Sequence, residues 1–400
     1  MCVPPLRACA LDSRERRLLE ERAKGFQGQR GHSTQREPGS PMVRQKKEKR
    51  KIMILDRARA KNRLIHPSLR QWGDHLMQEV RAQRLREDVV KLPAPRNRYS
   101  APEAMAQAEA LLIQEFHQPS WEVERHPFSL TNTVGFSDQD YFSPQMYAQM
   151  DGVNIVACKP GEASQDVIIV LAHFDTIRTS PGADDNTASV AALLELARLL
   201  TPYRFQKTIM LAAVDMEELG FFGAKSLVAE LIQKRRILGC INFETMAYMD
   251  PAPGSQHLPK GMGWLFPLQI QQIARRKFRG DFTSLIYNRR GKGLARMVGA
   301  SLKEIISAEQ TILLRDPNDL FLLGPLLRWI VPTIENFSRS DHIAFWERGL
   351  PAVMVTDTAN FRNPHYHEPT DTPETLDYGH LAKLVVATAL ALASIGEICL

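Results

Sequence analysis

Residues 167–172 read Val-Ile-Ile-Val-Leu-Ala, six apolar residues in a row with no alternating polar position. A strand with one wet face alternates, so an unbroken β-branched run belongs to a strand buried on both faces. Such a strand needs helices above and below it. The stretches Thr208–Val214, Ile237–Phe243 and Ala352–Thr356 have the same character, and Met146–Cys158 also reads as a strand. Between them the apolar spacing changes to that of helices, over Asn186–Leu200, Leu219–Arg235 and His380–Ile395. Ser100–Phe116 is a further helix, behind a Ser100-Ala-Pro-Glu103 start that resembles a capping box. Strands alternating with helices over some three hundred residues predict an α/β three-layer sandwich. Its centre is a mostly parallel, mixed β-sheet flanked by helices. No repeat of 20–50 residues is visible, which excludes a solenoid.

Composition divides the chain. Residues 1–65 hold 18 lysines and arginines against 7 aspartates and glutamates, leaving 33 against 38 for the remainder. Residues 1–65 are thus read as a basic, disordered arm with one short helix near Leu11–Lys24, and 66–400 as a single domain. No aromatic platform is interleaved with the arm's charges, so no specific nucleic-acid partner is expected. The first 17 residues lack the apolar core of an export signal, and the run Leu384–Gly396 is too short to span a bilayer. A cytoplasmic protein without a transmembrane segment is the expectation. Five cysteines without a Cys-x-x-Cys pair exclude a zinc ribbon. Oligomeric state is not legible.

Ligands in such sheets sit beyond the carboxyl ends of the strands, and polar residues collect there. Strand 167–172 runs into His173-Phe-Asp175, strand 208–214 into Asp215-Met-Glu217-Glu218, and strand 237–243 into Glu244. After strand 352–356 come Asp357 and the loop His365-Tyr366-His367-Glu368, and Gly182-Ala-Asp184-Asp185-Asn186 precedes a helix. Crowded carboxylates are costly unless cations neutralise them. Imidazoles mixed with carboxylates, without thiolates, suit zinc or another borderline divalent ion. Five or six ligands exceed the needs of one catalytic zinc, so two metals sharing a carboxylate fit better.

Taken together, His173-Phe-Asp175, Pro181-Gly-Ala-Asp-Asp-Asn186, Glu217-Glu218, Asn242-Phe-Glu244, Ser340-Asp-His342 and Tyr366-His367 resemble the M28 family of co-catalytic dizinc aminopeptidases, in the family's order over about residues 95–395. The resemblance implies two zinc ions per chain. His173 and Glu244 would hold one, Glu218 and His367 the other, and Asp185 would bridge them. It further implies Glu217 as general base, Asp175 as the group orienting His173, and Tyr366 as hydrogen-bond donor to the developing oxyanion. Many members carry Asp where this chain has Glu244. Ser340-Asp-His342 cannot form a triad from consecutive residues and is read as supporting. Arg339 and Arg362 are weighed as holders of a substrate carboxylate, with surface pairing the favoured reading.

The expected activity is removal of an N-terminal residue from a peptide or small amide, by water activated between the metals and deprotonated by Glu217. Two alternatives stand beside it. One is a single-zinc, glutaminyl-cyclase-like acyltransferase; the other is a non-catalytic binding module on the same scaffold. The full ligand set favours hydrolysis.

Overall fold

The computed structural model describes residues 65–320 and 324–399. Both the basic arm and the expected helix at Leu11–Lys24 therefore lie outside the described residues.

Eight strands form one sheet: β1 (Glu122–Phe136), β2 (Pro144–Lys159), β3 (Ser164–His173), β4 (Lys207–Val214), β5 (Ile237–Glu244), β6 (Thr283–Tyr287), β7 (Thr311–Arg315) and β8 (Ala352–Thr356). Their spatial order is β1-β2-β4-β3-β5-β8-β6-β7. The centre, β4-β3-β5-β8, is parallel; β1 and β2 run antiparallel to their neighbours, and β6 runs antiparallel to β8 but parallel to β7. Around the sheet lie α1 (Pro67–Glu79), α2 (Ala82–Lys91), α3 (Pro102–Phe116), α4 (Ala188–Leu200), α5 (Phe222–Lys234), α6 (Pro267–Arg275), α7 (Lys292–Ile305) and α8 (Tyr378–Gly396).

The two faces of β3 explain its unbroken apolar run. Ile168, Val170 and Ala172 pack into a cluster with α1–α4, α7 and α8. Val167, Ile169 and Leu171 pack on the other face with Ala224, Leu227 and Val228 of α5. Period-two alternation still governs direction, but both directions lead to apolar neighbours. A third cluster holds Ile286 of β6, Leu314 of β7, Met354 of β8 and the flanking Phe282 against Met262, Ile273 and Phe337. This is a three-layer α/β sandwich, as the patterning predicted. Helix α8, 19 residues long, is apolar enough to cross a membrane by length and composition, yet 78% of its most apolar window is buried in the fold.

Two local expectations are corrected. No capping box forms at Ser100: the N-cap of α3 is Ala101, and the backbone N–H groups of Tyr99 and Ser100 donate instead to Asn97 Oδ1. The helix expected from Asn186 begins at Ala188, because 183–187 form an irregular turn that delivers site residues.

Candidate metal centre

Parallel register brings the ends of the central strands to one rim. His173 pairs with Val214 across β3–β4, and Glu244 with Thr356 across β5–β8, so the residues that follow these pairs share one crevice. The turn before α4 adds Asp185. It depends on Gly182, which has φ +64°; a Cβ there would collide with the Asp185 carbonyl oxygen and the Thr176 side chain. Met216 (φ +54°) and His367 (φ +63°) also adopt left-handed backbone, at a cost of about 1–3 kcal/mol each. These turns aim the neighbouring Glu217 and the His367 ring into the crevice.

Two imidazoles face the two oxygens of one carboxylate. His173 Nε2 lies 3.2 Å from Asp185 Oδ1, and His367 Nε2 lies 3.1 Å from Asp185 Oδ2. Glu244 Oε2 is 3.7 Å from His173 Nε2, and Glu218 Oε2 is 3.5 Å from His367 Nε2. Two trios result, His173–Asp185–Glu244 and Asp185–Glu218–His367, each with its donor atoms within 4.8 Å of one another. A third grouping, His173–Glu217–Glu218, meets the same limit, so distance alone does not divide the roles of the glutamate pair.

The donors fit a divalent cation. His173 Nε2, Asp185 Oδ1 and His367 Nε2 are buried and have no hydrogen-bond partner among the described residues. Orphaned buried polar atoms are expensive, and here they converge on shared points. Asp184 does not compete with Asp185. Its oxygens accept from the Ala247 backbone N–H at 2.9 Å and the Asn363 amide at 2.8 Å.

Several of these residues are braced from behind. Asp371 accepts from the backbone N–H of Asp184 (2.9 Å) and Asp185 (3.2 Å). Asn186 donates to the Phe243 carbonyl and accepts from the Thr245 N–H, tying the bridging turn to the end of β5. Ser340 donates to Glu244 Oε2 at 2.6 Å while accepting from Asn242. Ser340 therefore supports Glu244. His342 instead faces the Phe337 carbonyl at 2.8 Å, so no triad forms. Arg96, fully buried, binds the Phe174 carbonyl and the Thr187 hydroxyl.

Asp175 faces both His173 and the glutamate pair. Its carboxylate accepts from the backbone N–H of Glu217 (3.1 Å) and Glu218 (3.2 Å). His173 Nδ1 lies closer to the Asp175 carbonyl oxygen, at 3.1 Å, than to its carboxylate, at 3.5 Å. Asp175 thus meets the ring through its carbonyl oxygen and, at longer range, its carboxylate, and holds the glutamate pair with its side chain.

Electrostatics match a crowded anionic crevice. Burial, with Glu244 and Glu218 nearby and His173 opposing, raises the Glu217 carboxyl well above its usual range. Burial works against the charged form of His367, but Glu218 and Asp185 outweigh it and push the imidazole up to about 10. Burial raises the Tyr366 phenol, reinforced by Asp185 and Glu218. Tyr366 stacks on His367 with ring centroids 4.0 Å apart.

Beside Glu244 and Tyr366 opens a cavity of about 110 Å³, walled by Ile270, Ile273, Phe282, Ile286, Leu314 and Met354. Arg339 lines it, exposed, donating to Asn336 Oδ1 at 3.1 Å. Arg362 takes no surface pair: it is buried, bonded to Gln256 Oε1 and stacked 4.6 Å from the Phe282 ring centre. Asp371, Asn363 and Arg96 went unrecognised in the sequence, although Asp371 sits four residues beyond His367 in the same acidic loop.

Comparison with known proteins bears on the fold and the family. The chain is 35% identical to the uncharacterized protein YfbL of Escherichia coli over 244 residues, 58% of this chain and 68% of YfbL. It superposes on a zinc aminopeptidase from Bacillus subtilis with a TM-score of 0.56 at 14% identity, covering 80% of this chain and 98% of the other. A glutaminyl cyclase from Porphyromonas gingivalis gives 0.53 at 14% identity, covering 78% and 98%, so the fold alone does not separate the two chemistries. The model of "Peptidase family M28" matches residues 154–289 and 330–392, which contain every ligand candidate, and the chain belongs to that family.

Proposed function

We propose that this protein is a dizinc exopeptidase of the aminopeptidase type, hydrolysing the first peptide bond of a peptide or small amide. The observation that carries this reading is Asp185, whose two oxygens each face a different unpartnered imidazole nitrogen. His173 and Glu244 would hold one zinc, Glu218 and His367 the other, and Asp185 both. Bound zinc supplies a Lewis acid and brings the pKa of the attacking water towards neutrality.

The chain's own groups do the rest. Glu217 accepts a proton from the attacking water on its carboxylate and returns it to the leaving amine. The Tyr366 hydroxyl donates to the substrate oxygen as negative charge develops there. Asp175 keeps Glu217 in place through its backbone N–H. The carboxylate-rich rim suits a substrate's terminal ammonium, and the adjoining apolar cavity suits an apolar N-terminal side chain.

Two facing imidazoles favour two metals over the single zinc of a cyclase-like acyltransferase, and no ligand candidate is missing as in a binding module. A panel of aminoacyl anilides with added zinc tests the reading. Leucyl, methionyl and phenylalanyl anilides should be cleaved at least about tenfold faster than glutamyl or glycyl ones. Cyclisation of glutaminyl substrates without hydrolysis of the others would overturn it.

A further inference from the structure

Of twelve large apolar side chains exposed among the described residues, five lie on two short segments that touch. Trp264 (67% exposed) and Leu268 (75%) sit on Met262–Leu265 and the start of α6. Leu326, Trp329 (81%) and Ile330 sit on the short helix Gly324–Ile330. The segments meet where the Val331 side chain covers Gly261 and the Thr333 hydroxyl donates to the Lys260 carbonyl at 2.8 Å. Inside, Met262, Phe266, Leu327 and Val331 share one apolar cluster. The outer side of the same unit carries the two tryptophans.

This apolar face runs into positive charge. Along α6, Leu268, Gln271, Gln272 and Arg275 line one concave strip, continued by Arg276, Lys277 and Arg279. Arg276 is engaged by Asp281 and Glu309, whereas Lys260, Arg275, Lys277 and Arg279 have no ion pair among the described residues. A second exposed apolar group, Val134, Phe136, Phe142 and Met146 at the β1–β2 turn, has Asp138 and Asp140 in that turn instead.

We infer that the Trp264–Leu268–Trp329 face docks on an anionic lipid surface. Tryptophan is suited to the headgroup boundary, with an apolar body and one N–H donor. Neighbouring Lys and Arg add attraction to lipid phosphates that falls off within a Debye length. Docking would set this apolar unit, of which Met262 also lines the cavity, against the bilayer. The inference does not rest on the hydrolytic reading.

The test uses the full-length chain with vesicles of phosphatidylcholine alone or with phosphatidylglycerol added. The expected result is binding to the anionic vesicles that weakens with added salt, with tryptophan emission shifted to the blue and quenched by brominated lipid chains. Trp264→Ser/Leu268→Ser/Trp329→Ser should weaken binding by about tenfold or more and abolish the quenching. Its melting temperature and its turnover of a soluble anilide should stay unchanged. Phe142→Ser/Met146→Ser should bind as the unaltered chain does. Should the triple variant misfold, Trp329→Ser alone and Arg275→Glu/Lys277→Glu carry the same comparison. Undiminished vesicle binding by these variants would overturn the inference, since cations elsewhere, residues 1–65 included, would then hold the lipid. Absence of vesicle binding together with a smaller particle mass in the variant would also overturn it, assigning the face to a second copy of the chain.

Discussion

At the rim, site residues lean on further buried polar groups: the Asp185 backbone on Asp371, the Glu244 side chain on Ser340, and the Glu217–Glu218 backbone on Asp175. The apolar part of the cavity wall beside it is built differently, because Ile273, Phe282, Ile286, Leu314 and Met354 meet one another by packing. Directional bonds fix where charge sits, within limits that one lost bond can exceed. Packing tolerates changes of size at modest cost. On the proposed reading, the rim would set the reaction and the wall would set which side chain enters.

That contrast is sharpest at the glutamate pair. Glu217→Gln should retain both metals and near-normal stability while turnover falls by roughly 10²–10⁴-fold, the range for a positioned general base. Glu218→Gln should weaken one metal site and lower the melting temperature. Metal analysis and turnover at equal free zinc decide the matter; shedding of metal by Glu217→Gln would exchange the two roles.

One step further out, Asp371→Asn should weaken zinc affinity by roughly 10–100-fold with the fold intact, as loss of an outer partner does elsewhere. An unchanged affinity in a metal titration would mean that the bridging turn does not need its brace.

Protonation gives a smaller effect. Without metal, Glu218 and Asp185 hold the His367 imidazole protonated, up to a pKa of about 10 against burial. Zinc needs the neutral ring, so binding releases a proton. Below that pKa, affinity should rise with pH by about tenfold per unit for each proton displaced. Calorimetry in buffers of different ionisation enthalpy reads the number of protons; a count of zero would show that the rings bind already neutral.

The wall should respond least. Ile273→Phe, which narrows the cavity, should lower kcat/KM for phenylalanyl substrates about tenfold and leave alanyl substrates nearly unaffected. A uniform loss across substrates would place the cavity outside the substrate's path.

The sequence was legible where one run of residues carries its own signal. The centre of the sheet could be read because β3, β4, β5 and β8 are buried on both faces, and the span Ala352–Thr356 coincides with β8. β1 was missed because its fifteen residues are mostly exposed on both faces, which leaves no clear alternation. β6 (Thr-Ser-Leu-Ile-Tyr) and β7 (Thr-Ile-Leu-Leu-Arg) lack the apolar start that marked the equally short β8, and five residues are too few for periodicity to decide. The ligand candidates announced themselves as unusual polar residues at strand ends. Their braces did not, since Asp371 reaches Asp185 across 186 positions and Arg96 reaches Thr187 across 91. Asp175 shows the same limit: its place was visible, but the atoms it binds depended on the fold.

The central claim is that Asp185 joins two metal sites on one rim. Its most direct test is elemental analysis of the full-length chain, purified with zinc present and dialysed to constant activity. Two zinc ions per chain, with Asp185→Ala losing both and all turnover, is the predicted result. One zinc per chain at full activity, or undiminished zinc in Asp185→Ala, would contradict it.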